Sequence, residues 1–325
     1  MKMHVRTRRV ALIEGATAGV LFGTASIFIR FLDGQDAFFI AFWRVVISCL
    51  VLAMTLVVIG KSFSFDVVRK RLRELFVLGF FLALHFIFFT SAVKDTKILN
   101  ATVLVNTTPI FSMFISSFLF NVKPSRLAIV GLAVSFIGVL TIVCGEMLVM
   151  NVNVFSAVFS SSVKGDLEAV LAALVEAFYL NYGRKIRSQM GILSTMFPIY
   201  LSTAIVLGIS GLPIASKTFT MSLKTEVILP IVALGTLPTA LAHTLYFSSL
   251  SNLKSFETAT MALLEPVGAT ILGMILFAEV PSLLFVLGAA SVLLGISFVI
   301  KDKSEAIHSG SAKQIKDYSS TNVPK

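Results

Sequence analysis

Ten apolar stretches of about 20 residues follow one another along the chain: 10–32, 37–60, 74–93, 98–120, 125–149, 165–183, 191–214, 227–250, 255–278 and 281–300. A helix rises about 1.5 Å per residue and bilayer hydrocarbon is about 30 Å thick, so each stretch can cross as a helix. The pieces between them are too short for a soluble domain. Charged residues make up 14% of the chain, against about 25% in soluble domains, too few to cover a water-facing surface. High mean hydropathy also excludes a disordered chain. The expected fold is an all-α membrane protein with ten transmembrane helices.

The charges between the stretches set an orientation. With the basic N-terminus in the cytoplasm, 20 of the 27 Lys and Arg fall on that side, 5 fall outside, and Arg30 and Arg44 lie within stretches. The positive-inside rule then expects both termini in the cytoplasm, in the plasma (inner) membrane. The net charge of +10 is scattered over short loops, densest at Lys61, Arg69, Lys70, Arg71 and Arg73, so no nucleic-acid partner is expected. The basic start precedes a run too long for a secretory signal, and reads as a retained first helix. Cys49 and Cys144 both fall within stretches, so no disulfide is expected. The sequons at Asn100 and Asn106 sit at or in a stretch, out of reach of glycosylation.

The chain repeats itself. Residues 120–125 read against 277–282 at an offset of 157, and the same offset carries Gly131 onto Gly288, Gly138 onto Gly295 and Pro109 onto Pro266. At an offset of 154, Glu14 falls on Glu168 and Arg30 on Arg184. Each unit has five stretches, an odd number, so the second must enter the membrane from the opposite side. The loops agree: Lys123 and Arg126 in the first copy face Glu279 and no base in the second. The expectation is two inverted five-helix repeats, at 10–149 and 165–300, joined by a linker at 150–164 and flanked by cytoplasmic tails at 1–9 and 301–325. Inverted repeats around a midplane site are a recurring transporter design.

Residues 22–30 (FGTASIFIR), Phe42-Trp43-Arg44, Leu84-His85-Phe86, Thr108-Pro109, Leu264-Glu265-Pro266-Val267 and the Ala278-Glu279 and Pro281-Ser282 pairs resemble the EamA family of the drug/metabolite transporter superfamily. The resemblance covers about residues 10–300. It implies two five-helix halves around a central cavity and the export or exchange of small metabolites. The sequence departs from the family at Phe22-Gly23, usually Trp-Gly, and at Asn121-Val122, usually Gly-Glu. No role for that second carboxylate carries over to the first half.

Ionisable residues inside the stretches narrow the site, because an unpaired charge in hydrocarbon costs several kcal/mol. Glu14, Glu168 and Glu257 lie near stretch ends, where solvent or a helix N-terminus accommodates them. Arg30 and Arg184 are near ends too and can snorkel. Near the midplane lie Arg44, His85, Glu176 and Glu265, with Asn106 and His243 somewhat off it. Glu176 and Tyr179, three apart, share a helix face. Glu265 precedes Pro266, whose missing N–H loosens the helix, and Pro109 is expected to break the fourth stretch in the same way. The expected substrate pathway is His85, Phe89, Asn106, Glu176, Tyr179, Tyr246 and Glu265. A competing structural reading pairs Arg44 with Glu176 or Glu265. Gly15, Gly19 and Gly23, and the pairs Gly131/Gly138 and Gly288/Gly295, read as packing stripes, and most Phe residues as lipid-facing bulk.

The expected function is a secondary transporter, exporter or exchanger, of a small polar metabolite such as an amino acid or amine. It works by alternating access, with protons as a coupling ion through Glu265 or Glu176. No cofactor, metal or catalytic residue is expected, and a homodimer is an open possibility. The alternatives are a non-transporting membrane subunit or a lipid-linked sugar flippase component. An intramembrane hydrolase built on Ser210 and His243 is disfavoured, since the two lie at different depths.

Overall fold

The structure is a computed structural model that describes residues 7–59, 63–96, 98–149, 162–214, 224–277 and 282–301. Residues 1–6 and 302–325 of the tails, 150–161 of the linker, and Lys61, Ala278, Glu279 and Pro281 lie outside the described residues. Every regular element among those described is helical. In chain order they are α1 (Arg8–Phe22), α2 (Ala25–Phe31), α3 (Ala37–Ile59), α4 (Phe65–Lys70), α5 (Leu72–Asp95), α6 (Ile98–Val105), α7 (Thr108–Phe120) and α8 (Arg126–Val149). Then come α9 (Val163–Arg187), α10 (Ile192–Ser210), α11 (Thr225–Leu234), a π segment (Gly235–His243), α12 (Thr244–Ser249), α13 (Ser255–Met261), a 3₁₀ turn (Ala262–Leu264), α14 (Glu265–Phe277) and α15 (Leu283–Ile300).

Eight helical stretches among the described residues are long and apolar enough to cross a membrane. Two other expected stretches depart from that standard for visible reasons. Helix α9 is 25 residues long but carries seven charged side chains, among them Asp166, Glu176 and Arg187. The stretch 255–277 is cut by the 3₁₀ turn into α-helical pieces of 7 and 13 residues.

Four stretches that read as continuous helices are jointed. The first breaks at Gly23-Thr24, where the Thr24 hydroxyl donates to the Leu21 carbonyl at 2.8 Å. The fourth breaks at Asn106-Thr107, and Pro109 takes the second position of α7, where its missing N–H leaves no helical bond unmade. Pro266 holds the same position in α14. The eighth passes through the π segment, which holds Pro238. These joints free backbone polar groups, which is tolerated at membrane depth only where protein or a cavity surrounds them.

Packing in lipid comes from close backbone approach rather than from expelling water. The stripe on α1 lies against 255–277, where a methyl on Gly19 would run into the Met261 carbonyl oxygen. Helix α8 crosses α15 through its glycines in the same way. The Phe residues divide: Phe114 and Phe118 lie outward among exposed apolar side chains such as Val57 and Val58, as a lipid-facing surface requires, whereas Phe39, Phe86, Phe247 and Phe256 are fully buried. Asn121 ends α7 in the left-handed region, φ 53°. Asn tolerates that conformation better than other side chains do, which is the physical content of its standing where Gly is usual.

Charged clasps tie the bundle at its two ends. On the face carrying the chain start, Arg8 grips Glu257 with both terminal nitrogens, at 2.7 and 3.2 Å, and also donates to the Ile300 carbonyl at 2.9 Å. Glu257 is fully buried and accepts the Lys254 backbone N–H at 2.7 Å. On the other face Lys164 bonds Asp95 at 2.6 Å, which holds the Lys164 pKa above its usual value. Replacing Arg8 by Ala leaves a buried carboxylate with the Lys254 N–H and the charge of Arg184 but no hydrogen-bonded cation, and is expected to destabilise the fold by about 1–3 kcal/mol. Thermal unfolding in detergent measures this, and Glu257→Gln should relieve most of the loss.

Candidate functional site

The joints converge on one central cavity. Its wall takes Phe22 and Ala25 from either side of the first break, and Val105, Asn106 and Thr108 from either side of the fourth-stretch break. Ala262 and Glu265 come from the ninth, His243 from the end of the π segment, Arg44 from α3, His85 and Phe89 from α5, and Glu176 from α9. The empty space, counted together with open solvent at its mouth, is about 450 Å³.

Each carboxylate of the wall has a polar neighbour. The Glu176 Oε2 lies 3.5 Å from His85 Nδ1, and that nitrogen is 3.1 Å from the Ala172 carbonyl oxygen. A carbonyl can only accept, so Nδ1 carries the donated proton and Nε2 is the ring's acceptor when neutral. The Glu265 Oε2 accepts from the Asn106 amide at 3.5 Å, while the same amide donates to the Thr102 carbonyl at 2.8 Å. Around them stands an aromatic cluster: His243 lies edge-on to Phe22 at 4.8 Å and to Phe86 at 4.9 Å, and Phe89 stacks on His85 at 6.1 Å.

Of the residues expected in the pathway, His85, Phe89, Asn106, Glu176 and Glu265 are on the wall. Tyr179 and Tyr246 are not. They are fully buried behind it, Tyr179 with its hydroxyl 3.8 Å from the Met196 sulfur and Tyr246 edge-on to Phe22 at 5.1 Å. Sharing a helix face with Glu176 therefore does not bring Tyr179 to the cavity, because one further turn of α9 carries it into the aromatic core. The expected ion pair of Arg44 with Glu176 or Glu265 is also absent among the described residues. Arg44 instead donates from Nε to the Thr239 hydroxyl at 3.0 Å and lies 4.3 Å over the Phe86 ring. The π segment brings Thr239 to it, and both carboxylates already have neighbours on other helices. Pro109 and Pro266 each sit beside a wall residue, Thr108 and Glu265. Ser210 is exposed at the end of α10 while His243 is buried in the cavity wall, so no serine hydrolase pair forms.

Sequence reasoning missed Phe22, Ala25, Val105, Thr108 and Ala262, all next to a helix break. The proline after Thr108, the Pro266 that frees the Ala262 carbonyl and the glycine after Phe22 were signals for three of them; Ala25 and Val105 had none.

The comparisons with known proteins agree with this architecture. The sequence model of the EamA-like transporter family matches residues 10–144 and again 163–301. A Bacillus subtilis (strain 168) protein named uncharacterized transporter YxxF is 20% identical over 295 residues, covering 91% of each chain. A second, uncharacterized transporter YdfC from the same organism, is 29% identical over 70% of this chain and 71% of its own. An uncharacterized transporter from Archaeoglobus fulgidus is 26% identical over 76% of this chain and 83% of its own. One solved crystal structure superposes with a TM-score of 0.74 at 18% identity, covering 90% of this chain and 96% of that one, so the fold is shared. The protein is thus an integral membrane transporter that sits in a lipid bilayer and binds small molecules. It is not an enzyme, and it belongs to the EamA-like transporter family.

Proposed function

We propose that the chain is a secondary transporter, exporter or exchanger, moving a small polar metabolite such as an amino acid or amine through the central cavity by alternating access. Two inverted five-helix halves, 10–149 and 165–300, rock about that cavity, with both termini in the cytoplasm, in the plasma (inner) membrane. One observation carries the reading: Glu176, Glu265 and His85 are buried at membrane depth yet line an open space where helices are broken. Ionisable groups so placed in a membrane usually mark a substrate or ion path.

Reciprocal packing supports the inverted halves. The contact of Gly131 with Gly295 becomes, under the offset of 157, the contact of Gly288 with Gly138, and both are present. Likewise α1 packs on the ninth stretch as α9 packs on α7, and Pro109 and Pro266 hold matching positions. An antiparallel pair of halves has the symmetry alternating access needs, since exchanging the conformations of the two halves about the pseudo-two-fold axis opens the other side.

Two measurements test the reading. Tags on the two termini should be reached from the same face of the membrane, and tags reached from opposite faces would remove the inverted arrangement. Cells over-expressing the chain should change the ratio of inside to medium for a small set of polar metabolites. An unchanged profile, with the protein folded in the membrane, would remove the transport of small polar metabolites.

A further inference from the structure

Arg44 is on the cavity wall and forms no ion pair among the described residues. It is 1% exposed, and its guanidinium is fixed at one edge by the Nε bond to Thr239 at 3.0 Å and along its plane by the Phe86 ring at 4.3 Å. Thr239 is itself held, its hydroxyl on the Leu234 carbonyl at 2.6 Å and its carbonyl accepting the Tyr200 hydroxyl at 2.7 Å. The π turn that presents it is pinned by Ser48 on the Gly235 carbonyl at 2.7 Å. Yet Arg44 Nη1 is buried with no hydrogen-bond partner. A buried guanidinium left without a counterion is costly, and its planar fork of donors matches a carboxylate. The two wall carboxylates do not serve, Glu176 standing by His85 and Glu265 by Asn106.

We infer that Arg44 is the anchor for a carboxylate carried by the cargo, whose ammonium group meets Glu176, so that the transported class is zwitterionic amino acids and not simple amines. This rests on the cavity being the transport site. The guanidinium is held rigidly by groups outside the cavity, which is the preorganisation a selective anion site requires. A site built to hydrogen-bond a group rejects an analogue that lacks it, because its own donors are then left unpaired.

The test uses the purified full chain in detergent, with thermal unfolding followed against the twenty L-amino acids and then against the carboxamide and the decarboxylated amine of each one that stabilises. At least one amino acid should raise the midpoint, with its amide and amine at least about tenfold weaker. Arg44→Gln should erase that preference for acid over amide, and Arg44→Lys, which keeps the charge without the fork, should restore part of it. The wild-type comparison needs no variant, so misfolding of either substitution does not decide the matter. If no amino acid stabilises, or acid and amide act equally, the anchor is overturned. Flux in proteoliposomes separates the two readings: carboxylate-dependent binding without flux keeps the anchor and removes transport. Equal flux of acid and amide removes the anchor and keeps transport.

Discussion

Glu265→Gln is expected to leave downhill exchange of cargo in proteoliposomes within about threefold of wild type and to abolish its response to an imposed pH gradient. Gln keeps the shape and the hydrogen bond to Asn106, but cannot gain or lose a proton in the working range. Glu265 is the residue to choose because its neighbour Asn106 is neutral, at 3.5 Å, and no cation bridges it among the described residues. Its charge therefore has to be balanced by cargo or by a proton as the cavity changes sides. Glu176 differs in having His85 within 3.5 Å, so the proton it needs can be shared with the imidazole. Glu176→Gln should accordingly weaken the pH response without abolishing it. An unchanged pH dependence in both variants would remove proton coupling, while loss of downhill exchange in Glu265→Gln would make that carboxylate a cargo ligand first. Flux against a clamped pH difference, with exchange measured at equal pH on both sides, distinguishes these results.

The sequence made the lipid-crossing stretches legible because hydrocarbon thickness imposes a length that composition either meets or does not. It made Gly19 legible as a contact point because small residues four apart have few other uses. What it could not carry was the third dimension of a helix break. The stretch 227–250 has the length and apolarity of a plain span, and nothing in Gly235-Thr236-Leu237-Pro238 specifies that the chain widens into π turns through His243. That widening decides what Arg44 touches. From depth alone Arg44 could pair with either midplane carboxylate, and the long side chain reaches Thr239 only because the π segment presents that hydroxyl. Tyr179 and Tyr246 stand off the wall for a related reason: aromatic rings on a cavity-facing helix have equal claims to the core, and here Tyr179 packs on Phe247 at 5.2 Å and Tyr246 on the wall residue Phe22 at 5.1 Å. The direction of a side chain beside a break was not readable from spacing and composition.

Single alanine substitutions at Gly138 and Gly288 are expected to destabilise the protein by about 1–3 kcal/mol each, and the double variant by clearly less than the sum. An added methyl at Gly138 would stand 2.6 Å from the Gly288 carbonyl oxygen, and one at Gly288 would stand 2.6 Å from the Gly138 carbonyl oxygen. The obstacle is backbone in both cases, so the helices must move apart rather than a side chain swing aside. Once the first methyl has forced α8 and α15 apart, the second meets a gap already open, and this is why the costs do not add. Gly131 faces the Gly295 carbonyl at 2.6 Å in the same manner, so its alanine variant should match Gly288→Ala, its partner under the offset of 157, within about 0.5 kcal/mol. Leucine at any of the four should leave little folded protein, since separating the two helices by a whole side chain removes the contact that closes this side of the bundle. Unfolding midpoints in detergent, with denaturant slopes to check that the unfolded state is unchanged, decide the matter. Additive losses would mean that the two glycines are not in one contact, and unequal losses at Gly131 and Gly288 would break the equivalence of the halves on which the alternating-access reading depends.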